Sequence, residues 1–310
     1  MARAIAADGP RAGSLLIQQR YNECEGTQFL RELCQNGFEA GATRIQLGIH
    51  WSGVNFDWST VELPQGCNLH PGRYRMVYYD NGCGMGSEML DYMAGLLDLD
   101  SKNQSAGDPH GNFGMGARVS LLPWNKAGVI IASWSPEFPS GQLMWIRFVP
   151  DSGASDKLGY YEAISLNWID ENGLPCCDEV APADCFPEFI EGRPEWLGPQ
   201  ADGETGTGTM YLLLGDTGQE HTFLGPQGDW KTHTGPNYLS HRYWEHPSNV
   251  EIRYEDPRAA DSDLWASRLR DRCEKTTLDG SIPGSDQQRF FNEPVRAAKG
   301  IITGLHARKG

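Results

Sequence analysis

The order of strand-like and helix-like stretches is the feature that most constrains the fold of this chain. Residues 43–51 alternate apolar and polar side chains, which is the period of a strand with one buried face, and residues 73–80 are predicted to form a second strand. Four more short strands are predicted at residues 128–134, 142–149, 160–168 and 209–215. The first two of these four are joined by a hairpin-like connection, "SPEFPSG".

Helical patterns lie before and between these strands. One runs from residue 14 to 40 with a break near "NECEGT", and Ser14 and Thr27 are expected N-caps. Others are predicted at residues 87–100, from residue 117 onward, and as a basic helix at residues 263–275. Strands and helices do not alternate as in βαβ units, so we expect an α+β fold. Such a fold has a mixed, mostly antiparallel sheet with helices on one face.

Composition limits the function. The chain has 310 residues and a formal net charge of -15, which argues against a nucleic-acid binder that works through bulk charge. No run approaches the ~18 apolar residues of a membrane span, and the first residues lack an apolar signal region. A cytoplasmic protein is therefore expected. None of the eight cysteines has C-x-x-C spacing, which favours free thiols over a zinc site.

The stretch "ELCQNGFEAGAT" (residues 32–43) places Glu32, Asn36 and Glu39 at i, i+4 and i+7, hence on one helix face. An amide oxygen at Asn36 suits Mg²⁺, which keeps few protein ligands beside waters and phosphates. Glu32, one turn earlier, could take a proton from an attacking water. For each residue alone, a solvated polar helix face is the commoner reading.

Two glycine-containing stretches follow. In "DNGCGM", the carboxylate of Asp80 at a strand end precedes Gly82 and Gly84. The glycines would let a nucleotide base approach the backbone, and its exocyclic amine could then donate a hydrogen bond to Asp80. A simple Asn-Gly hairpin turn is the alternative. In "GNFGMG" (residues 111–116), glycines before a helix could hold a polyanion with backbone amides, or form a plain turn. The spacing is neither G-x-G-x-x-G nor a Walker A loop.

Together with "GTMYLLL" (residues 208–214), these stretches supply a base, a metal ligand, an adenine contact and a phosphate loop in one order. The four resemble the motifs of the GHKL ATPases, the superfamily of gyrase B, the large heat-shock chaperone, histidine kinases and MutL. The first motif is closest to the MutL and MORC form, and the third is similar to the chaperone form. The resemblance covers about residues 15–216.

The resemblance implies a role for each polar residue of the motifs. Glu32 would be the general base and Asn36 the Mg²⁺ ligand. Glu39 stands where the family has Asp, a residue that supports the site. Asp80 would bind adenine N6, with Thr209 assisting through water.

The remaining motif residues would surround the nucleotide. Gly82 and Gly84 would shape the adenine pocket, and Met85 would line it. A lid would close over the phosphates, with backbone amides of residues 113–117 on the phosphate oxygens and a lysine within reach. Its expected residues are Lys102, Gly111, Phe113, Gly114, Met115, Gly116 and Ala117.

The resemblance also implies a Bergerat-type two-layer α/β sandwich that binds ATP and Mg²⁺. We expect a flexible segment at residues 1–13, the ATP-binding domain at 14–216, and a C-terminal extension at 217–310, for which the start of a transducer-like domain is one interpretation. An ATP-driven homodimer and a protein or nucleic-acid client are the expected partners, without a membrane. The transducer cation of the hydrolysing members has no clear counterpart, and Lys299, Arg308 and Lys309 are candidates by position alone.

Alternative functions remain open at this point. The chain could be a nucleotide-dependent binding module with little hydrolysis. A histidine-kinase-like phosphotransferase is less favoured, because its first motif differs and no His precedes His50. The extension could bind DNA or a protein through local positive charge, although interleaved acidic residues favour a solvated helix face. The arginines concerned are Arg253, Arg258, Arg268, Arg270 and Arg272.

Overall fold

A computed structural model describes residues 9–51, 74–86, 115–151, 159–216, 222, 225–230, 234–242, 249–254 and 265–266. Predictions outside these ranges include the helix at residues 87–100, the lid as far as residue 114, and most of the extension, with Arg258, Arg268, Arg270, Arg272, Lys299, Arg308 and Lys309. Four expected site residues are therefore not described, namely Lys102, Gly111, Phe113 and Gly114.

The described residues form five helices and thirteen strands. The helices are α1 (Gly9–Tyr21), α2 (Gln28–Glu39), α3 (Met115–Leu121), α4 (Pro187–Ile190) and α5 (Thr234–Arg242), and a 3₁₀ turn, Leu122–Trp124, follows α3. The strands are β1 (Arg44–Trp51), β2 (Tyr74–Asp80), β3 (Val129–Trp134), β4 (Gln142–Pro150), β5 (Gly159–Ala163), β6 (Leu166–Ile169), β7 (Pro175–Asp178), β8 (Val180–Pro182), β9 (Gly198–Pro199), β10 (Thr205–Gly206), β11 (Gly208–Leu213), β12 (Glu251–Tyr254) and β13 (Trp265–Ala266).

One large sheet organises the molecule. Its strand order is β13-β12-β1-β2-β11-β3-β4-β5, and β8 also pairs with β4. Within the described residues β1 and β12 run parallel, whereas the other neighbours in this sheet are antiparallel. The predicted α+β class with a mixed, mostly antiparallel sheet is confirmed. Pairs β6–β7 and β9–β10 form two small separate sheets.

Helices cover one face of the large sheet. In α2, buried Phe29, Leu30 and Leu33 recur at helical spacing and pack into a core with Leu47 of β1 and Met76 of β2. Because a helix can bury only one stripe against a flat sheet, the remaining positions of α2 face outward. That division leaves the polar stripe of α2 on its unburied side.

The opposite face of the sheet is covered by residues 164–206. Leu166, Ile190 and Leu197 from this stretch are buried in a second core with Val77 and Met210 of the sheet. The guanidinium of Arg193 lies 5.7 Å from the ring centre of buried Trp134. Arg193 Nε also donates to the Leu197 carbonyl at 3.0 Å. This irregular layer is therefore anchored to the sheet.

Residues beyond 216 also enter the helix-side core. The Trp230 ring stacks on Phe29 with centroids 5.7 Å apart, and β12 contributes buried Ile252 and Tyr254. The buried Thr222 hydroxyl accepts a hydrogen bond from the Met76 amide at 2.6 Å. Described parts of the expected extension thus complete the core that supports α2.

Three local predictions need correction. Ser14 lies inside α1 and is not its N-cap; its buried hydroxyl accepts the Tyr161 amide hydrogen at 3.0 Å. Thr27 does occupy the N-cap position of α2, but its side chain makes no capping hydrogen bond. The predicted basic helix is wrong at Trp265–Ala266, which pair as a strand with β12 because Arg253 and Ile252 offer a sheet edge.

We expect Ile252→Ala to lower the free energy of unfolding by about 2–5 kcal/mol, because Ile252 is 1% exposed within the core. Ile169→Ala is the matched control, since Ile169 also lies in a strand but is 65% exposed. Its expected change is within about 0.5 kcal/mol. Urea unfolding measures both variants, and equal small effects would show that β12 does not stabilise the core.

Candidate functional site

The polar stripe of α2 lies beside the core but outside it. Glu32 keeps 19% of its side chain exposed, and Asn36 is half-buried one turn later. Glu39 is exposed and its Oε1 accepts a hydrogen bond from Gln35 Nε2 at 2.8 Å. Glu32 and Asn36 are therefore accessible to a ligand, whereas Glu39 is held at the surface by a neighbour on its own helix.

Glu32 meets the last glycine of the G-x-x-G-x-G stretch. A Cβ atom built on Gly116 would overlap the carboxylate of Glu32, so the two residues are in direct contact. Gly116 is the second residue of α3, which packs against α2 with Ala117 buried in the shared core. Glu32 Oε1 also lies 3.3 Å from Arg31 Nη1. The first and third sequence motifs are thus adjacent in the structure.

Asp80 ends β2 as a buried carboxylate, 3% exposed. Burial raises its pKa to about 6, against opposing hydrogen bonds from the backbone of Gly82 and of Thr209. The Gly82 amide donates to Asp80 Oδ1 at 2.9 Å. The Tyr78 hydroxyl also approaches and favours the ionised form, although it lies outside good hydrogen-bond geometry.

The sign of this pKa shift matters. Asp80 contributes stability to the fold when protonated, and that contribution is lost as the pH rises through about 6. At neutral pH the fold therefore carries a buried negative charge that a hydrogen-bond donor would stabilise. Such a group at a strand end is typical of a functional site.

Asn81 fixes this strand end to the loop after α2. Its Oδ1 accepts the backbone N–H groups of Thr43 at 2.8 Å and Arg44 at 2.6 Å, and its Nδ2 donates to Thr43 Oγ1 at 2.9 Å. The Cys83 amide donates to the Ala40 carbonyl at 3.0 Å. The chain after Asp80 therefore runs along the end of α2, which excludes the hairpin-turn interpretation of "DNG".

Gly84 and Met85 continue from this loop to β3. Gly84 has φ +71°, and a Cβ atom there would collide with the carbonyl of Trp134. The Met85 amide donates to Ser133 Oγ at 2.8 Å. Glycine at position 84 is thus required both by its backbone conformation and by its close approach to β3.

Thr209 completes the arrangement from β11, where it pairs with Asp80 across the sheet. It is 5% exposed, and its Oγ1 lies 3.2 Å from Ser133 Oγ. Sequence reasoning missed Ser133 and Asn81. The signal for Ser133 was a single hydroxyl inside the apolar run "VIIASW", and the signal for Asn81 was its place beside Asp80.

Helix α2 connects the two clusters of predicted residues. Glu32 contacts Gly116. Eight positions later, Ala40 lies so close to Gly82 that a Cβ atom on Gly82 would collide with the Ala40 side chain. Eight residues of α-helix span about 12 Å, and Asn36 lies midway. The structure therefore aligns Glu32, Asn36 and the Asp80 cluster (Asp80, Gly82, Gly84, Met85 and Thr209) along one helix. The side chain of Met115 and the four lid residues named above lie outside this description.

Among the described residues, no group of three His, Cys, Asp or Glu side chains could hold a metal ion by itself. A hard cation at Asn36 would therefore need oxygen ligands from elsewhere, such as phosphate and water. In the same described ranges, no helix has the length and apolarity needed to cross a membrane.

The similarity of the chain to known proteins is confined to the level of the fold. No protein-family model matches the chain, and no curated protein matches it. The chain is similar to a solved structure, the N-terminal domain of a DNA repair protein, with a TM-score of 0.37 and 11% identity. The match covers 79% of this chain and 53% of that one, so this chain spans about half the length of its neighbour. At this TM-score the similarity carries no argument about function.

We expect Gly84→Ala to destabilise the fold more than Gly173→Ala. Both glycines have positive φ, +71° and +77°, so both variants should lose about 1–2 kcal/mol of unfolding free energy. A Cβ on Gly173 meets nothing within 4 Å, whereas one on Gly84 meets the Trp134 carbonyl. The clash should cost Gly84→Ala a further ~1–3 kcal/mol. Denaturant unfolding measures the difference, and equal losses would contradict the close approach to β3.

Proposed function

We propose that the chain is a Mg²⁺-dependent ATPase of the GHKL type. The observation that carries this proposal is the alignment along α2, where Glu32, Asn36 and the Asp80 cluster occur in the order that such a site needs. Residues from the four sequence motifs, up to about 180 positions apart, are joined by a series of contacts. Gly116 lies against Glu32, Gly82 lies against Ala40 at the end of α2, and Thr209 pairs with Asp80. A solvated helix face and two unrelated turns would give no reason for that convergence.

The Asp80 cluster fits the adenine ring. The Asp80 carboxylate is buried and ionised at neutral pH, so it would accept a hydrogen bond from the exocyclic amine. Gly82 and Gly84 let the chain after Asp80 pack closely against Ala40 and the Trp134 carbonyl, which shapes the loop beside the carboxylate, and half-buried Met85 supplies an apolar contact. This set of donors and acceptors favours an amine-bearing base.

The Asn36 amide oxygen fits Mg²⁺ that is shared with phosphates, since this ion accepts a single protein ligand when phosphate and water supply the rest. Bound Mg²⁺ would neutralise negative charge on the phosphate oxygens. Gly116 lies against Glu32, which brings the end of the proposed phosphate loop to the proposed base. Asn36 lies one helical turn from Glu32, on the same face.

Glu32 is the proposed general base. Its carboxylate is partly exposed, so water can reach it, and it lies at the α2–α3 contact where the terminal phosphate is expected. Its role would be to orient a water and take its proton, while the surrounding backbone amides stabilise negative charge. The proposed outcome is ATP hydrolysis that resets a conformational or dimerisation switch for a protein or nucleic-acid client.

Glu32→Gln tests the proposed hydrolysis. The amide preserves the shape that contacts Gly116 but cannot take a proton, so we expect phosphate release to fall about 10²- to 10⁴-fold. The dissociation constant for ATP with Mg²⁺ should change little. Phosphate-release assays and calorimetric titration measure the two quantities.

Glu188→Gln is the matched control, because Glu188 is an exposed helical residue on the opposite sheet face and makes the same charge change. It should keep wild-type turnover. ATP binding by the wild type without phosphate release would favour the alternative of a nucleotide-dependent binding module. Absence of ATP binding would contradict the proposed function itself.

The proposed adenine contact also predicts a pH dependence. The ionised Asp80 accepts the amine hydrogen, and protonation with a pKa of about 6 removes that acceptor. Affinity for ATP should therefore be constant above pH 7 and fall by up to about tenfold per pH unit well below 6. Asp80→Asn should bind ATP more weakly and lose this component of the profile, which comparison of the two titrations isolates. Identical profiles would contradict the assignment.

A further inference from the structure

Ser133 lies at the centre of a buried hydrogen-bond cluster beside Thr209. It is 0% exposed on β3, between β11 and β4 in the sheet. Its hydroxyl is 3.0 Å from the Gly208 carbonyl oxygen, 2.8 Å from the Met85 nitrogen and 3.2 Å from Thr209 Oγ1. Three polar groups from two other segments therefore converge on one serine oxygen.

The chemistry of these groups assigns the protons. A serine hydroxyl has one hydrogen to donate and two lone pairs that accept. The Gly208 carbonyl can only accept, so it takes the Ser133 hydrogen, and the Met85 N–H can only donate, so it fills one lone pair. The second lone pair is left for the Thr209 hydroxyl hydrogen. Any other assignment would set two oxygen lone pairs against each other.

We propose that Ser133 is a positioning residue that makes Thr209 act as a hydrogen-bond acceptor toward the ligand, and thereby selects amino purines over 6-oxo purines. With its hydrogen committed to Ser133, Thr209 presents only lone pairs. Asp80, its partner in the strand register, presents a carboxylate. This inference rests on the proposed function, because it concerns the ligand edge that the Asp80 cluster would read.

Asp80 and Thr209, as two neighbouring acceptors, would distinguish an amino purine from a 6-oxo purine by attracting the first and repelling the second. An exocyclic amine supplies the hydrogens that both acceptors need. A 6-oxo group would point its own lone pairs at them and leave both unsatisfied. If the Thr209 hydroxyl were free to turn, it could donate to the oxo group and recover part of the loss. Ser133 prevents that turn.

The test compares dissociation constants for ATP and inosine triphosphate, a 6-oxo purine nucleotide, by calorimetric titration of the full chain with Mg²⁺. The wild type should prefer ATP. Ser133→Ala should narrow that preference by about three- to tenfold, mainly through tighter binding of inosine triphosphate. A purely structural role for Ser133 would weaken both nucleotides alike and leave the ratio unchanged.

Thr209 variants identify the route of the effect. In a Thr209→Val background, Ser133→Ala should change the nucleotide ratio by less than about twofold, because no hydroxyl remains to be oriented. Thr209→Ser keeps the hydroxyl and should keep the wild-type ratio. The single variants Thr209→Val, which removes the acceptor, and Thr209→Ser, which keeps it, test the same acceptor role without altering Ser133, so the proposal remains testable if Ser133→Ala fails to fold.

Ser135→Ala is the control. Ser135 is also buried just beyond the same strand, but its hydroxyl accepts the Phe138 amide hydrogen at 3.3 Å, in the turn that follows β3. It should leave the ratio unchanged. An unchanged ratio in folded Ser133→Ala, or an undiminished effect in the Thr209→Val background, would overturn the inference while ATP binding persists. A wild type that binds neither nucleotide would instead overturn the proposed function and this inference with it.

Discussion

The packing of α2 onto the sheet is the contact on which the other features of the site depend. Gly37 has no side chain, and a Cβ atom there would overlap the Tyr78 hydroxyl and touch Ile45. Because Gly37 has no side chain, α2 packs closely against β1 and β2, with Leu33 and Phe29 fully buried between the helix and the sheet. The rotation of the helix about its axis is then fixed by close packing. Glu32 and Asn36 owe their outward direction to that rotation.

Within the site, stability and reactivity oppose each other. Burying a carboxylate at the end of β2 costs more free energy than burying an amide or an apolar side chain there would. The fold compensates through the Gly82 amide and the Thr209 backbone, and through Asn81, which holds the adjacent chain in place. The result is a frame of hydrogen bonds around one buried carboxylate. Rigid frames of this kind hold reactive geometry without reorganisation when a ligand arrives.

Much of this arrangement could be predicted from the sequence, because it depends on local periodicity and on residue chemistry. Alternation in residues 43–51 predicted β1, the mostly apolar run at residues 73–80 predicted β2, and the i, i+4 spacing predicted the face shared by Glu32 and Asn36. Pairing between distant segments has no such local sign. Neither the parallel partner of β1 nor the burial of residues 164–206 on the second face could be read from a single pattern. Ser133 was not predicted for the same reason, since its hydrogen-bond partners lie 48 and 75 residues away in the sequence.

Thr43 joins the candidate site to the far part of the chain. Its amide and hydroxyl are bound by Asn81, and its carbonyl accepts the Glu251 amide at 2.8 Å, where β12 enters the sheet. Thr43 therefore takes part both in the hydrogen bonds that hold Asn81 at the end of β2 and in the first hydrogen bond between β1 and β12. Force applied to the chain beyond β12 would reach the buried side chains of Tyr254 and Ile252 before it reached Thr43. Because those two side chains belong to the core under α2, tension on the C-terminal segments would be borne by that core first and would reach the chain beside Asp80 last.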